Sequence, residues 1–178
     1  MVGSKIDSLL VDISSRLEEG KGPAKDNLAV FLEEIKEVME NFFEESTNRD
    51  NRGKLRLSAV GREDRKLWYD YHGYEKEPLS TDARIKFCFG HLLEAFVLLL
   101  VKEAGHSVKD CQKEVTVGQV KGHIDCLIDG ELVDVKSASP YGFKKFVDGS
   151  ILKGDDPFGY LYQLSSYGKA LKKEKGYF

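Results

Sequence analysis

The stretch Gly122–Lys136, GHIDCLIDGELVDVK, decides how the rest of the chain is read. Two segments of alternating polarity flank Asp129-Gly130, a dipeptide that favours a two-residue type I′ hairpin turn. With residues 129 and 130 as the loop, antiparallel pairing sets Ile128 against Glu131, Asp125 against Asp134 and His123 against Lys136. The opposite face carries Ile124, Cys126, Val133 and Val135, an apolar set suited to a core. Side chains directly opposite one another have Cβ atoms about 4.5–5.5 Å apart, and like charges there destabilise the pair. Two carboxylates at that spacing call for a cation, a shared proton or water. A divalent ion held by oxygen ligands is the simplest resolution, and it makes the hairpin a candidate site.

Working outward, residues 82–104 are predicted to form the longest helix, apolar nearly all round from Phe87 to Val101 and therefore central. Glu94 falls inside this apolar run. A buried carboxylate is costly without a partner, so Glu94 is expected to share the ion with Asp125 and Asp134, a structural salt bridge being the alternative. His91 is a weaker candidate ligand, with a hydrogen-bonded structural histidine as the competing reading. Residues 107–117 read as a strand that turns at Val117-Gly118 into the hairpin.

Upstream, residues 5–19 and 26–46 show apolar residues at helical spacing with an acidic opposite face, separated by Gly20–Pro23. That face is read as solvated, or alternatively as a surface for a protein partner. Asn48–Gly53 is a polar linker. LRLSAV (55–60) is expected to be extended, and the helix that follows carries Arg62, Arg65, Trp68, Tyr69 and Tyr71. Basic and aromatic residues interleaved in this way suit a nucleic-acid backbone and its bases, although a helix with Leu67 and Trp68 in the core explains them too. Beyond the hairpin, Ser137 and Lys144 stand in a polar, basic and aromatic loop as candidate phosphate contacts, or simply as solvated residues. Asp156-Pro157 is expected to open a last helix with Tyr160, Gln163 and Tyr167 on one face.

Composition sets bounds. The chain has 178 residues, 41% hydrophobic and 32% charged, with a net charge of −3. This is the profile of a globular chain rather than a disordered one. Residues 1–50 carry 6 Lys+Arg against 12 Asp+Glu, and residues 51–178 carry 21 against 18. The two segments are read as an acidic helical extension and a mildly basic core compatible with a polyanion. Cys88, Cys111 and Cys126 lack C-x-x-C spacing and are expected to be buried free thiols in a reducing compartment. The richest apolar run spans only Ala95–Val101, too short for a bilayer, so a cytoplasmic protein without membrane attachment is expected.

Three carboxylates with Lys136 two residues past the last form a hard, oxygen-rich donor set suited to Mg²⁺ or Mn²⁺ rather than zinc. Such sites support in-line displacement at phosphorus, with Lys136 placed to orient the water or steady developing charge. Walker-type and G-x-G-x-x-G loops are absent from the sequence, which points to phosphodiester hydrolysis rather than phosphoryl transfer from a nucleotide.

Four ordered motifs, Gly90-x-x-x-Glu94, Gly122-x-x-Asp125, Asp134-Val135-Lys136 and Gln163-x-x-x-Tyr167, resemble those of the PD-(D/E)xK nuclease superfamily. The likeness is greatest to its RecB-type and lambda-type exonuclease branch, phage-encoded members especially, and it covers roughly residues 55–175. It implies a restriction-endonuclease-like α/β (α+β) core at residues 51–178, with a mixed β-sheet flanked by helices, preceded by the extension at 1–50. It further implies that Glu94, Asp125, Asp134 and the Val135 carbonyl bind one or two ions, that Lys136 assists the nucleophilic water, and that Gln163 and Tyr167 position site and DNA. Ile124 replaces the proline of the superfamily name. Some relatives hold an iron–sulfur cluster on four cysteines; with three cysteines here, and Asp64 where one would stand, no cluster is expected. Relatives commonly continue past the fourth motif into another strand, so either a longer native chain or a smaller sheet is expected. The implied activity is that of a DNA exonuclease acting on ends or single strands in recombination, repair or degradation. An endonuclease on the same fold and a catalytically silent nucleic-acid-binding subunit are the alternatives.

Overall fold

A computed structural model describes residues 5–44, 53–74 and 77–178. It is a mixed α/β chain that divides into two compact units. The first comprises residues 1–48, 78–109 and 127–130, and the second residues 49–77, 110–126 and 131–178. The division does not fall at a single point near residue 50, because the N-terminal helices share their unit with the long helix and part of the hairpin. It segregates charge: the first unit carries 9 Lys+Arg against 15 Asp+Glu, the second 18 against 15.

In the first unit a 3-10 turn at Lys5–Ser8 leads into α1 (Leu9–Glu18), then α2 (Lys25–Phe43), and α4 (Thr81–Glu103) packs against both. Ser80 caps α4 by accepting from the Ala83 N–H, the arrangement that satisfies an otherwise orphaned amide. Glu103 at its far end gathers Arg16 Nη2 at 2.7 Å, Asn27 Nδ2 at 2.7 Å and the Ala24 N–H at 2.9 Å. One carboxylate thereby fastens the α1–α2 connection to α4. The expectation of a helix buried all round holds only for its C-terminal half: Ala95, Leu98, Leu99 and Val101 are buried, whereas Phe87, Phe89, Leu93 and Phe96 remain exposed. Strand β1 (Val108–Lys109) pairs antiparallel with β4 (Cys126–Ile128) through Val108↔Ile128 and Lys109↔Leu127. At the tip, Asp129 (φ 50°) and Gly130 (φ 84°) both adopt the left-handed conformation that a type I′ turn requires.

The second unit holds α3 (Asp64–His72), the hairpin β2 (Glu114–Val117) and β3 (Val120–His123), β5 (Glu131–Val133), α5 (Pro140–Val147), α6 (Tyr160–Leu171) and β6 (Gly176–Tyr177). Several expectations change here. LRLSAV is extended only in part: Arg56 and Val60 keep extended backbone, Arg56 bridging Lys121, while Leu57–Ala59 form a 3-10 turn with Leu57 buried. The strand foreseen over 107–117 breaks at Asp110 (φ 54°) and Gln112 (φ 53°), and only its ends enter ladders. His123 pairs with Glu114, and Gly122 with Val115, across a Gly118-Gln119 turn, whereas Lys136 lies beyond β5 and in no strand. The supposed loop after Lys136 is the helix α5, capped by Ser139 accepting from the Gly142 N–H with Pro140 in its first turn. The last residues form β6, parallel to β5 through Leu132↔Gly176 and Val133↔Tyr177. Of the cysteines, Cys126 is buried, Cys88 partly so and Cys111 exposed, all as free thiols; Cys111 departs from the expected burial because it sits in the irregular segment. The Asn48–Gly53 linker lies largely outside the described residues. Among them, no helix is long and apolar enough to cross a membrane.

Candidate active site

Asp134 follows directly on β5, and its backbone N–H donates to the Tyr177 carbonyl at 2.9 Å. Hydrogen bonding on that side fixes the residue at the end of the strand and leaves its side chain only 1% exposed. A carboxylate so buried needs compensating charge. Lys136 Nζ supplies it, 2.7 Å from Oδ2 and itself 22% exposed. Gln163 Nε2 donates to Oδ1 over a long 3.4 Å and also faces the Tyr167 hydroxyl at 3.3 Å. Gln163 and Tyr167 are one turn apart on α6, as their spacing foretold. Both are buried, and Tyr167 reaches the carboxylate through Gln163.

Asp125 stands just before β4, within the second unit. Its Oδ2 accepts the Val135 N–H at 2.8 Å, while its carbonyl accepts from the Gln112 N–H and the neighbouring Ile124 N–H donates to the Lys113 carbonyl. The peptide joining Asp134 to Val135 therefore lies against the Asp125 carboxylate. Val135, singled out for its carbonyl, contributes its N–H. Gly122, the first residue of this motif, has a plain steric reason: a Cβ there would come 2.7 Å from Leu57 Cβ and 2.9 Å from Tyr167 Cε1.

Tyr160 was legible as a partner of Gln163 and Tyr167 on one helix face, but its contact with Lys136 was not. The ammonium lies 5.4 Å from the Tyr160 ring centroid, within cation–π range. The ring is in turn stacked on Phe146 and Phe158. Burial pushes the Tyr160 phenol above its ordinary range, the Lys136 charge opposing and the Asp134 charge adding to that shift. Burial likewise raises Tyr167, with the Gln163 hydrogen bond opposing and the Asp134 and Asp125 charges assisting. Both phenols stay protonated at neutral pH. Asp156 opens α6 as anticipated, by accepting from the Tyr160 and Leu161 N–H groups at 2.9 Å each.

The remaining candidates are placed as follows. Ser137 and Lys144 are exposed, before and on α5; Arg62 and Arg65 are exposed at the start of α3, with Arg65 lying 5.8 Å from the Tyr69 centroid. Glu94 and His91 belong to α4 in the first unit, where His91 Nδ1 is 3.9 Å from Glu94 Oε2 and the His91 side chain is largely exposed. Among the described residues, no group of three or more His, Cys, Asp and Glu side chains is arranged to hold a metal ion.

The donor chemistry nevertheless fits a hard cation. Mg²⁺ is commonly held by one or two carboxylates, with water and substrate phosphate completing its shell, and Asp125 and Asp134 supply two. Nothing among protein-family models, curated proteins or solved structures matches this chain.

Proposed function

We propose that this protein is an Mg²⁺- or Mn²⁺-dependent deoxyribonuclease, an exonuclease acting on DNA ends or single strands, in the cytoplasm, on a restriction-endonuclease-like core. The observation that carries the reading is the juxtaposition of Asp125, Asp134 and Lys136. The Asp125 carboxylate accepts from the N–H of the peptide that follows Asp134, and the Lys136 ammonium sits 2.7 Å from the Asp134 carboxylate. A bound divalent ion supplies Lewis acidity and charge neutralisation at the phosphate.

The protein's own groups do the rest. Lys136, steered by Asp134 and the Tyr160 face, presents N–H donors where a water and a non-bridging phosphate oxygen meet, stabilising charge as it develops. Gln163 and Tyr167 hold Asp134 in one rotamer. The water oxygen forms a bond to phosphorus as the bond to the departing sugar oxygen breaks; the water proton passes to solvent, and the leaving oxygen is protonated in turn.

End-labelled DNA incubated with Mn²⁺ tests this, comparing wild type with Asp125→Ala and Lys136→Ala. Cleavage by wild type and a loss of at least about 10²-fold in each variant is expected; DNA that binds yet stays uncut with either metal rules the reading out. A circular substrate separates exonuclease from endonuclease action. Exposed Trp68 and Tyr69, with Arg65 beside the Tyr69 ring, suit a second reading, a nucleic-acid-binding subunit without catalysis, and that same assay decides between the two.

A further inference from the structure

Helix α3 takes no part in the carboxylate–lysine cluster, yet it carries an unusual density of exposed rings. Trp68 is 49% exposed and Tyr74 54%, with Tyr69 and Tyr71 exposed as well. They form a connected set. Trp68 stacks on His72 at 4.1 Å, lies 5.5 Å from Tyr74 and meets Tyr69 edge-on at 5.3 Å, and Tyr69 meets Tyr74 edge-on at 5.0 Å. Gly73 (φ 71°) ends the helix in a left-handed conformation, and the Tyr74 N–H returns to the Tyr69 carbonyl at 3.2 Å. The chain reversal thereby brings Tyr74 back over the helix. Rings used for core packing would be covered, and these are not. A cluster of large exposed apolar groups on a surface marks a binding site.

Two further features identify the occupant. Residues 53–74 carry Lys54, Arg56, Arg62, Arg65 and Lys66 against Glu63, Asp64 and Asp70, a positive excess within the unit that is itself positive. The start of α3 also adjoins the start of α6: a Cβ on Gly159 would lie 2.6 Å from the Val60 carbonyl oxygen, and one on Gly61 would lie 2.7 Å from Tyr162 Cδ2. Arg62 is close enough for its charge to act on Tyr160. The segment that leads into α3 thus lies against the start of the helix that carries Tyr160.

We infer that the aromatic face of α3 is a stacking platform for single-stranded DNA, with Trp68, Tyr69 and Tyr74 receiving successive unpaired bases and Arg62 and Arg65 receiving the intervening phosphates. Duplex DNA buries its base faces and cannot use such a platform, whereas unpaired bases of any sequence can. This deepens the proposed function by naming the form of its substrate, and it takes from that reading only that the ligand is DNA.

Trp68 is the single tryptophan of the chain, so its emission reports on the platform directly. The full-length protein is titrated in EDTA, where no cleavage intrudes, with a dT homopolymer and with a blunt duplex of equal length. The expected result is saturable quenching by dT, binding of the duplex at least about tenfold weaker, and a loss of roughly tenfold in dT affinity for Tyr69→Ala and for Tyr74→Ala, with Tyr69→Phe close to wild type. Circular dichroism confirms that the variants fold. An unchanged Trp68 signal with dT, equal affinity for duplex, or Ala variants that bind as wild type each overturns the inference. Quenching without Mn²⁺-dependent cleavage removes the nuclease reading and keeps this one; cleavage without quenching does the reverse.

Discussion

Lys136→Met is the perturbation that bears most directly on the cluster. Methionine keeps much of the stem beside Tyr160 and removes the charge 2.7 Å from Asp134 Oδ2. Deleting one partner of a buried ion pair costs about 3–5 kcal/mol, because the other charge is left in a poorly solvating environment. Lys136 is 22% exposed, so some water reaches the gap and the lower end, about 3 kcal/mol, applies. At about 2–4 °C per kcal/mol for a chain of this length, the melting temperature should fall by roughly 6–12 °C. Asp134→Asn combined with Lys136→Met should recover most of the loss, since the amide leaves no charge to compensate. If a divalent ion binds here, Mn²⁺ at a hundredfold excess over its dissociation constant should stabilise Lys136→Met by about 2.7 kcal/mol, and the same Mn²⁺ concentration should stabilise wild type less, because its lysine opposes the ion. Thermal unfolding followed by circular dichroism, with and without Mn²⁺, measures all of this. A single variant as stable as wild type, or a double variant no better than the single, would refute the electrostatic argument.

Three other expectations are independent of catalysis. Burial tends to raise the Asp129 pKa, but hydrogen bonds from His106 and the Ser107 N–H, with the charges of His106 and Lys5, hold it below its ordinary 3.8. Its stabilisation is therefore complete above that value and disappears as pH falls through the depressed one; Asp129→Asn, which tolerates the left-handed turn, should flatten the acid limb of urea-measured stability and cost about 1–3 kcal/mol at pH 7. Gly122→Ala should destabilise by about 1–3 kcal/mol through the clash with Leu57 and Tyr167, read as a lower urea midpoint with unchanged slope. Glu103→Ala removes the three hydrogen bonds that fasten the α1–α2 connection and should speed tryptic cleavage at Lys21 several-fold, as seen by mass spectrometry.

Much of this architecture was legible because it rests on local physics. The helices follow from 3.6-residue spacing, the turn from Asp-Gly, and the return of the Val135 N–H to the Asp125 carboxylate from the two-residue loop between their segments. What escaped depends on distant partners. Nothing near His106 in sequence announces that its Nδ1 meets Asp129 at 2.5 Å and its Nε2 meets Asp12 at 3.1 Å. The left-handed backbone at Asp110 and Gln112 broke a strand that alternation alone supported. Ser139-Pro140 is an ordinary helix start, overlooked because the polar and aromatic residues after it suited a loop equally well. The outward rings of α4 show that apolar composition states what a helix can bury, not what it does bury.

The division into two units carries a practical lesson for anyone dissecting the molecule. The polypeptide leaves one unit for the other after residues 48, 77, 109, 126 and 130. Five passages mean that no stop codon or shifted start can isolate either half intact. A fragment beginning near residue 50 would retain α4 and β4 while discarding α1 and α2, which belong to the same unit. Excising a unit whole would require rewiring the gene with new linkers, so functional mapping here should proceed by point substitution rather than deletion.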